Sequence, residues 1–331
     1  MNDSAISSIG ASERRAASGA PLVYVVVLNY NGPELTLNCV DSVLKIDYPN
    51  FRVIVVDNAS ADDSLARFRE AFTDPRIEIL ANPKNEGYAG GNNRGMERAL
   101  MEGADYIFVL NNDTTVEPGC LGPLVDAMQG DNSLGACGCP IFNIGPRGEP
   151  NFGEQMSLFS ARTKTWRDAA GSNGCERLDY ICGAAVLLRS AALRVVGMFD
   201  ANLFLFYEDA DLGFRIRRAG FRIRVIDSPG VDHLLAQTTG RWRPRTMFCA
   251  VRNGVWFVRR YGNWRHRAVF SLINLFWLFP TQFARCLLKG RWALVRSLLS
   301  GYWAGYARRV PAPENDGLRA AAQRLDILNR T

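Results

Sequence analysis

The sequence has little of what would settle its class at a glance. Only two of its 331 residues are histidine. Its eight cysteines include no pair with zinc-site or redox Cys-x-x-Cys spacing, so they read as reduced core thiols, with Cys137 and Cys139 on one face of a strand. Residues 1–20 hold no apolar run long enough for a signal-peptide core, which predicts a flexible tail on a protein that is not secreted. The stretch 268–284 carries no charge over 17 residues, yet it is interrupted by Asn274 and Pro280 and falls short of the ~20 residues a spanning helix needs. No aromatic-basic RNA motif, zinc finger or helix-turn-helix pattern accompanies the basic residues, so nucleic acid is not an expected partner.

What is present suits a large core. The chain is 47% hydrophobic and 22% charged, enough for one large domain or one domain with an appendage. The formal net charge is +6, with arginines crowded between Arg215 and Arg309. That crowding predicts a basic face toward the C-terminus for anionic lipid or a phosphorylated substrate.

The organising stretch is YIFVLNNDTTV, residues 106–116. Its first five residues read as a fully buried strand that stops at Asn111, Asn112 and Asp113. In open α/β sheets ligands bind beyond the carboxyl ends of strands, so an acid there is placed to hold a divalent cation against a phosphate. A plain Asn-Asp-Thr turn is the competing reading. Apolar runs at 22–28 and 51–56 repeat the pattern and end in Asn29 and Asp57, with helices expected over 34–45 and, capped by Ser60 or Asp62, up to about 72.

A short strand at 76–80 leads into a loop, 82–95, rich in glycine, where Gly87, Gly90 and Gly91 permit positive φ or close approach to a ligand. The spacing fits neither the Walker nor the dinucleotide fingerprint. The succession predicts a doubly wound, mostly parallel α/β sheet.

Beyond a helix at 118–129 and a strand at 134–139, residues 140–177 read as an irregular excursion shaping a second-substrate pocket. An apolar strand is expected over 178–189, with Gly183 and Ala184 offering backbone to a ligand on the acceptor side, then a helix over 190–196. In FLFYEDADLGFRIRR, 204–218, an aromatic strand is expected to run into a helix opening on Glu208, Asp209 and Asp211. Helix capping explains one acid, not three, and two adjacent carboxylates favour a raised pKa on one of them, as a general base requires. His233 follows a short strand at 221–226, at a strand end like Asp113.

The ordered series LNYNG (28–32), VVDNAS (55–60), the 82–95 loop ending GYAGGNNRG, LNNDTTV (110–116), FYEDADLGFRIRRAG (206–220) and His233 resembles family-2 glycosyltransferases of the GT-A fold. More narrowly it is similar to rhamnosyltransferase-like bacterial members that build cell-surface polysaccharide. The resemblance implies inverting transfer of a sugar from a nucleotide diphosphate-sugar to an acceptor hydroxyl. It implies that Asn29 and Asp57 meet the base and ribose, that Gly90, Gly91 and Asn92 line the same pocket, and that Asn58 and Asn112 join the nucleotide-sugar contacts. Asp113 would ligate Mg²⁺ or Mn²⁺, with His233 completing the coordination, while Thr115 stands where many relatives carry a second acid. Asp209 is the expected base, Glu208 its alternate, and Asp211 a residue positioning the acceptor or the helix.

After 241 the sequence turns aromatic and basic, which predicts a C-terminal helical region, 241–331, beyond a catalytic domain at 21–240. Trp277, Trp292 and Trp303 with the flanking arginines suit an interfacial, membrane-associating helix; a packing helix of the soluble domain or of a homodimer is the other reading. The expectation is a metal-dependent enzyme, cytoplasmic and peripheral on the inner face of the cell membrane. It would act on a lipid-linked or oligosaccharide acceptor, with rhamnose the first choice of sugar. A nucleotidyltransferase is the rival enzyme, but it calls for a basic glycine-rich loop after the first strand and NYNGPE has no Lys or Arg. A scaffold or sugar-binding protein of the assembly machinery is the non-enzymatic rival.

Overall fold

The computed structural model describes residues 19–143, 150–167, 178–234 and 243–313. Most of the expected tail, Cys175 and the polar stretch after 313 lie outside the described residues.

The first half of the chain alternates strand and helix: β1 (Val23–Asn29), α1 (Pro33–Leu44), β2 (Phe51–Asp57), α2 (Ser64–Ala71), β3 (Ile77–Ala81), α3 (Gly87–Met101) and β4 (Tyr106–Asn111). Then come β5 (Thr114–Val116), α4 (Leu121–Gly130), β6 (Leu134–Gly138), β7 (Ile141–Asn143), β8 (Pro150–Asn151), β9 (Glu154–Ser157), β10 (Arg162–Thr165), β11 (Ala185–Arg189), α5 (Ser190–Val196), α6 (Glu208–Arg218), β12 (Arg222–Val225) and β13 (Val231–His233). Four helices follow, α7 (Pro244–Tyr261), α8 (Trp264–Ile273), α9 (Phe279–Leu288) and α10 (Trp292–Ala307), with a π turn, Asn274–Leu278, between α8 and α9.

The central sheet has the order β12-β6-β11-β4-β1-β2-β3. Only β11 runs against its neighbours, pairing antiparallel with β4 and β6, so the sheet is mostly parallel. The apolar runs form its middle because they are hydrophobic on both faces. Val23, Val25 and Val27 point into one core with Cys39, Val43, Phe68 and Leu124, while Tyr24 and Val26 point into a second with Met96, Leu100, Leu193 and Ile216. Helices α1, α2 and α4 therefore cover one face and α3, α5 and α6 the other, the doubly wound arrangement. Cys137 and Cys139 share one core, as strand alternation requires.

Four local expectations are corrected. The glycine segment is loop only to Glu86, because α3 begins at Gly87. Of 178–189 only Ala185–Arg189 is strand, since the amides of Asp179 and Tyr180 turn aside to the Glu154 carbonyl. Residues 140–177 are not irregular throughout: four short strands lie in them, β7 and β8 joining β5 and β13 in a second sheet and β9 with β10 making a hairpin. Residues 204–207 form no strand, because Phe204, Phe206 and Tyr207 have φ of +65°, +71° and +72°. The aromatic rings there serve packing, and the chain pays in left-handed backbone to turn sharply into α6.

Candidate active site

Parallel strands deliver their last residues to one rim. Asn29 and Asp57 end β1 and β2 in register, and Asn111 ends β4 opposite Leu28. Asn29 Nδ2 donates to Asp57 Oδ1 (2.9 Å) and Ser60 Oγ (3.0 Å), and Asn29 Oδ1 accepts from Thr36 Oγ1 (2.8 Å). Asn112 Nδ2 donates to the same Thr36 hydroxyl at 3.0 Å. One buried hydrogen-bond chain thus laces Asp57, Asn29, Thr36 and Asn112 across three strand ends. Asp57 Oδ2 takes the Ser60 amide at 3.1 Å and keeps lone-pair capacity for a ligand hydroxyl or amide.

The neighbouring residues are occupied by the fold itself. Asn58 donates to the Gly87 carbonyl (3.0 Å) and accepts from Asn82 Nδ2 (3.0 Å) and the Glu86 amide (3.1 Å), which shapes the 82–87 loop. Gly90 and Gly91 lie in the opening turns of α3; a Cβ on Gly91 would sit 2.6 Å from Leu28 Cδ1, so its smallness lets α3 approach β1. Asn92 donates to the Tyr88 carbonyl at 2.9 Å, and its buried Oδ1 has no partner among the described residues.

Asp113 follows β4, and the antiparallel pairing of β13 with β5 sets His233 opposite Thr114. His233 Nε2 and Asp113 Oδ1 are 3.2 Å apart, the spacing of two adjacent ligands each ~2.1–2.2 Å from one ion. Asn111 Nδ2 lies 3.4 Å from the same Nε2, and Asn111 Oδ1 is buried with no partner among the described residues. No group of three or more His, Cys, Asp or Glu suited to a metal occurs among the described residues. The donor pair shown together is therefore a carboxylate and an imidazole. It fits a six-coordinate ion whose other positions come from phosphate and water.

The second acidic cluster lies across the Gly183–Ala184 backbone. The Asn111 amide donates to the Ala184 carbonyl (3.1 Å), while the Gly183 amide donates to Asp209 Oδ2 (3.3 Å). A two-residue segment thus joins the β4 end to the start of α6. Burial, and then the Glu154 carboxylate, raise the Asp209 pKa to about 7. Burial pushes Glu208 well above the usual carboxylate range, and the charges of Asp209 and Asp211 push the same way; its Oε2 has no partner among the described residues. Both acids line a cavity of about 320 Å³ with Met156, Thr163, Tyr180 and Tyr207.

Asp211 has a different task. Its carboxylate accepts from Arg215 Nε (2.8 Å), Tyr261 Oη (2.7 Å) and Arg260, and Arg260 also pairs with buried Asp200 at 2.8 Å. These bonds tie α6 to α7.

Residues 24–197 match the family described as glycosyl transferase family 2, just over half of the chain. The chain belongs to glycosyl transferase family 2. This glycosyltransferase is 27% identical over 240 residues to the N-acetylglucosaminyl-diphospho-decaprenol L-rhamnosyltransferase of Mycobacterium tuberculosis, covering 66% of this chain and 77% of that one. Two solved structures show the GT-A fold. The mannosyltransferase PcManGT of Pyrobaculum calidifontis, in complex with GDP-Man and Mn²⁺, superposes with a TM-score of 0.54 at 16% identity, over 92% of this chain and 96% of that one. GalNAc-T7, with UDP, GalNAc and Mn²⁺, gives 0.58 at 17% identity over 71% of this chain; the glycosyltransferase described here spans about half of its length, 48%.

Two residues of this glycosyltransferase, Tyr88 and Glu154, escaped the sequence reading, and a third, Asn253, resembles with Arg252 a feature of the family whose contacts only the structure gives. Tyr88 donates to the Gly183 carbonyl at 2.7 Å; burial and then the charges of Glu208, Asp209, Cys182 and Asp113 hold its phenol protonated, which puts it among both acidic clusters. Glu154 adds to the raised pKa of Asp209. Asn253 on α7 directs its amide at the carbonyls of Leu203 (2.8 Å), Leu205 (2.9 Å) and Phe206 (2.9 Å), clamping the left-handed turn that presents Glu208 and Asp209. Gly87 meets that turn from the other side: at φ +75°, a Cβ there would fall 2.3 Å from the Phe204 carbonyl oxygen.

Asn253→Ala takes this donor from the Leu205 and Phe206 carbonyls, while Leu203 keeps the Arg252 guanidinium at 3.0 Å. It is expected to cost about 1–3 kcal/mol of stability and, by loosening the turn, about tenfold to a hundredfold in kcat. Thermal melts and steady-state rates check this. A variant with unchanged melting and turnover would show that the clamp is idle.

Proposed function

We propose that this glycosyltransferase moves a sugar, rhamnose by first choice, from a nucleoside diphosphate-sugar to a hydroxyl of a lipid-linked or growing surface-polysaccharide acceptor, with inversion at the anomeric carbon. Asp209 carries the reading. A carboxylate with a pKa of about 7, lining a cavity and joined to the end of β4 through the Gly183–Ala184 backbone, is half ionised near neutrality and is matched to take a proton from an alcohol.

In the step proposed, Asp209 takes the acceptor O–H proton as the oxygen bonds to the anomeric carbon, and the bond to the diphosphate oxygen breaks. Glu208, held protonated by burial, offers a hydrogen bond rather than a second negative charge. Asn29 and Asp57 hold the base and ribose, and Asn112 is held beside them through Thr36. Asp113 and His233 would hold Mg²⁺ or Mn²⁺, and the nitrogen ligand favours Mn²⁺. Such an ion, when bound, stabilises the negative charge developing on the leaving diphosphate. The catalytic body is assigned to 21–240 and a C-terminal region to 241–331, working at the inner face of the cell membrane.

Rhamnose rests on the similarity to the mycobacterial rhamnosyltransferase. The nucleotidyltransferase reading lacks support at β1, because residues 30–33, Tyr-Asn-Gly-Pro, bring no basic side chain to the rim. The test is release of nucleoside diphosphate from a panel of sugar nucleotides with a lipid extract as acceptor, in Mn²⁺ and in chelator. Release from one donor, lost in chelator, is expected. Release of pyrophosphate from a sugar phosphate and a nucleoside triphosphate would favour the rival enzyme, and nucleotide binding without turnover of any donor would favour the scaffold.

A further inference from the structure

We infer that α8, the π turn and α9 lie in the plane of an anionic lipid bilayer and dock the enzyme on it. This deepens the membrane-face reading above, and flotation tests it without turnover.

Twelve of the sixteen large apolar side chains exposed among the described residues fall between Trp264 and Tyr306. The other four are scattered singly, which is ordinary; twelve in one layer are a patch. Leu275, Phe276, Trp277, Leu288, Trp292 and Trp303 are each at least 62% exposed. Their outward direction is fixed from behind. Phe270, Asn274 and Cys286 turn inward, Tyr302 Oη donates to Asn274 Oδ1 at 2.6 Å, and the Phe279 ring meets the Tyr302 ring edge-on at 5.4 Å. The wider π turn then shows Leu275, Phe276 and Trp277 to solvent in succession.

Charge selects the occupant. From Pro244 to Pro313 the chain has twelve Lys and Arg and not one Asp or Glu. Among the described residues, Arg285, Lys289, Arg291 and Arg296 make no ion pair, and all four are exposed beside the patch. A second copy of this chain would set like charges against each other with no acid between them, and a nucleic acid would leave the leucines uncovered. An anionic bilayer takes both, with aromatic and aliphatic side chains below the headgroups and basic groups among them. No helix among the described residues is long and apolar enough to cross a membrane, so the fit is in-plane.

The experiment is flotation of the full chain with vesicles of phosphatidylcholine containing about one-third phosphatidylglycerol, against phosphatidylcholine alone, at low and high salt. Expected are binding at least about tenfold tighter to the anionic vesicles, weakening in salt, and a loss of about tenfold or more in the triple variant Phe276→Ser, Trp277→Ser, Leu288→Ser. The charge variant Arg285→Glu, Lys289→Glu, Arg291→Glu should lose the anionic preference. Circular dichroism and a soluble-acceptor assay unchanged in both variants would separate docking from folding and catalysis. Absence of flotation, or equal flotation on neutral vesicles, overturns the inference. So does a concentration-dependent dimer in sedimentation that the triple variant abolishes.

Discussion

Asp209→Asn lowers kcat by about 10³-fold, within the 10²–10⁴ that a positioned base contributes, and leaves donor KM nearly unchanged. The wild-type rate carries the signature of the same group. Asp209 acts ionised, so kcat/KM falls about tenfold per pH unit below about 7 and levels off above it. Stability moves the other way. The fold holds this carboxyl protonated at a pH where the unfolded chain has already ionised it, so the stability it contributes is full below the ordinary carboxylate value, ~4, and is lost as pH rises through about 7. Asp209→Asn, which cannot ionise, therefore melts higher than the wild type at alkaline pH, and the gap closes on acidification. Glu208→Gln copies the protonated acid already present and keeps activity within about tenfold. A rate flat between mild acid and neutrality, or a Glu208→Gln variant as dead as Asp209→Asn, would move the base elsewhere.

Asp113→Ala lowers kcat/KM by about 10²–10³-fold. Its sharper effect is on binding, because the carboxylate and His233 Nε2, 3.2 Å apart, are the two donors among the described residues best placed for a cation at the rim. In calorimetry the wild type should bind nucleoside diphosphate more tightly with Mn²⁺ than with chelator, and the variant should show no difference. His233→Ala should retain part of the Mn²⁺ effect at raised metal concentration, because it removes one ligand and leaves the charge. Equal Mn²⁺ enhancement in Asp113→Ala and wild type would free Asp113 from the role.

The elements visible from sequence are those whose cause is local. Strands β1, β2 and β4 are uninterrupted apolar runs, and their polar ends mark the rim, so Asn29, Asp57 and Asp113 could be picked out before any contact was known. What escaped depends on distant partners. Tyr88 meets Gly183 across 95 residues, and Asn253 reaches the 203–206 turn across nearly fifty. Glu208 and Asp209 look equivalent in sequence; burial raises both, and the distant Gly183 amide, with that of Ala210, tells them apart by donating to the Asp209 carboxylate and holding its pKa down to about 7. The aromatic run at 204–207 misled for a related reason. Its hydrophobicity answers to α7 and α3 rather than to a neighbouring strand, and positive φ leaves no trace in side-chain pattern. Gly91 is small where Leu28 is close, a requirement that composition cannot distinguish from approach to a ligand.

A base on one side of the anomeric carbon and a diphosphate held on the other require a single displacement. The anomeric configuration of the product, read by NMR on a reaction started from a donor of defined configuration, tests that arrangement most directly. Inversion is the expected result. A product with the donor's own configuration would require a covalent or front-face route, and Asp209 as a simple base would then be wrong.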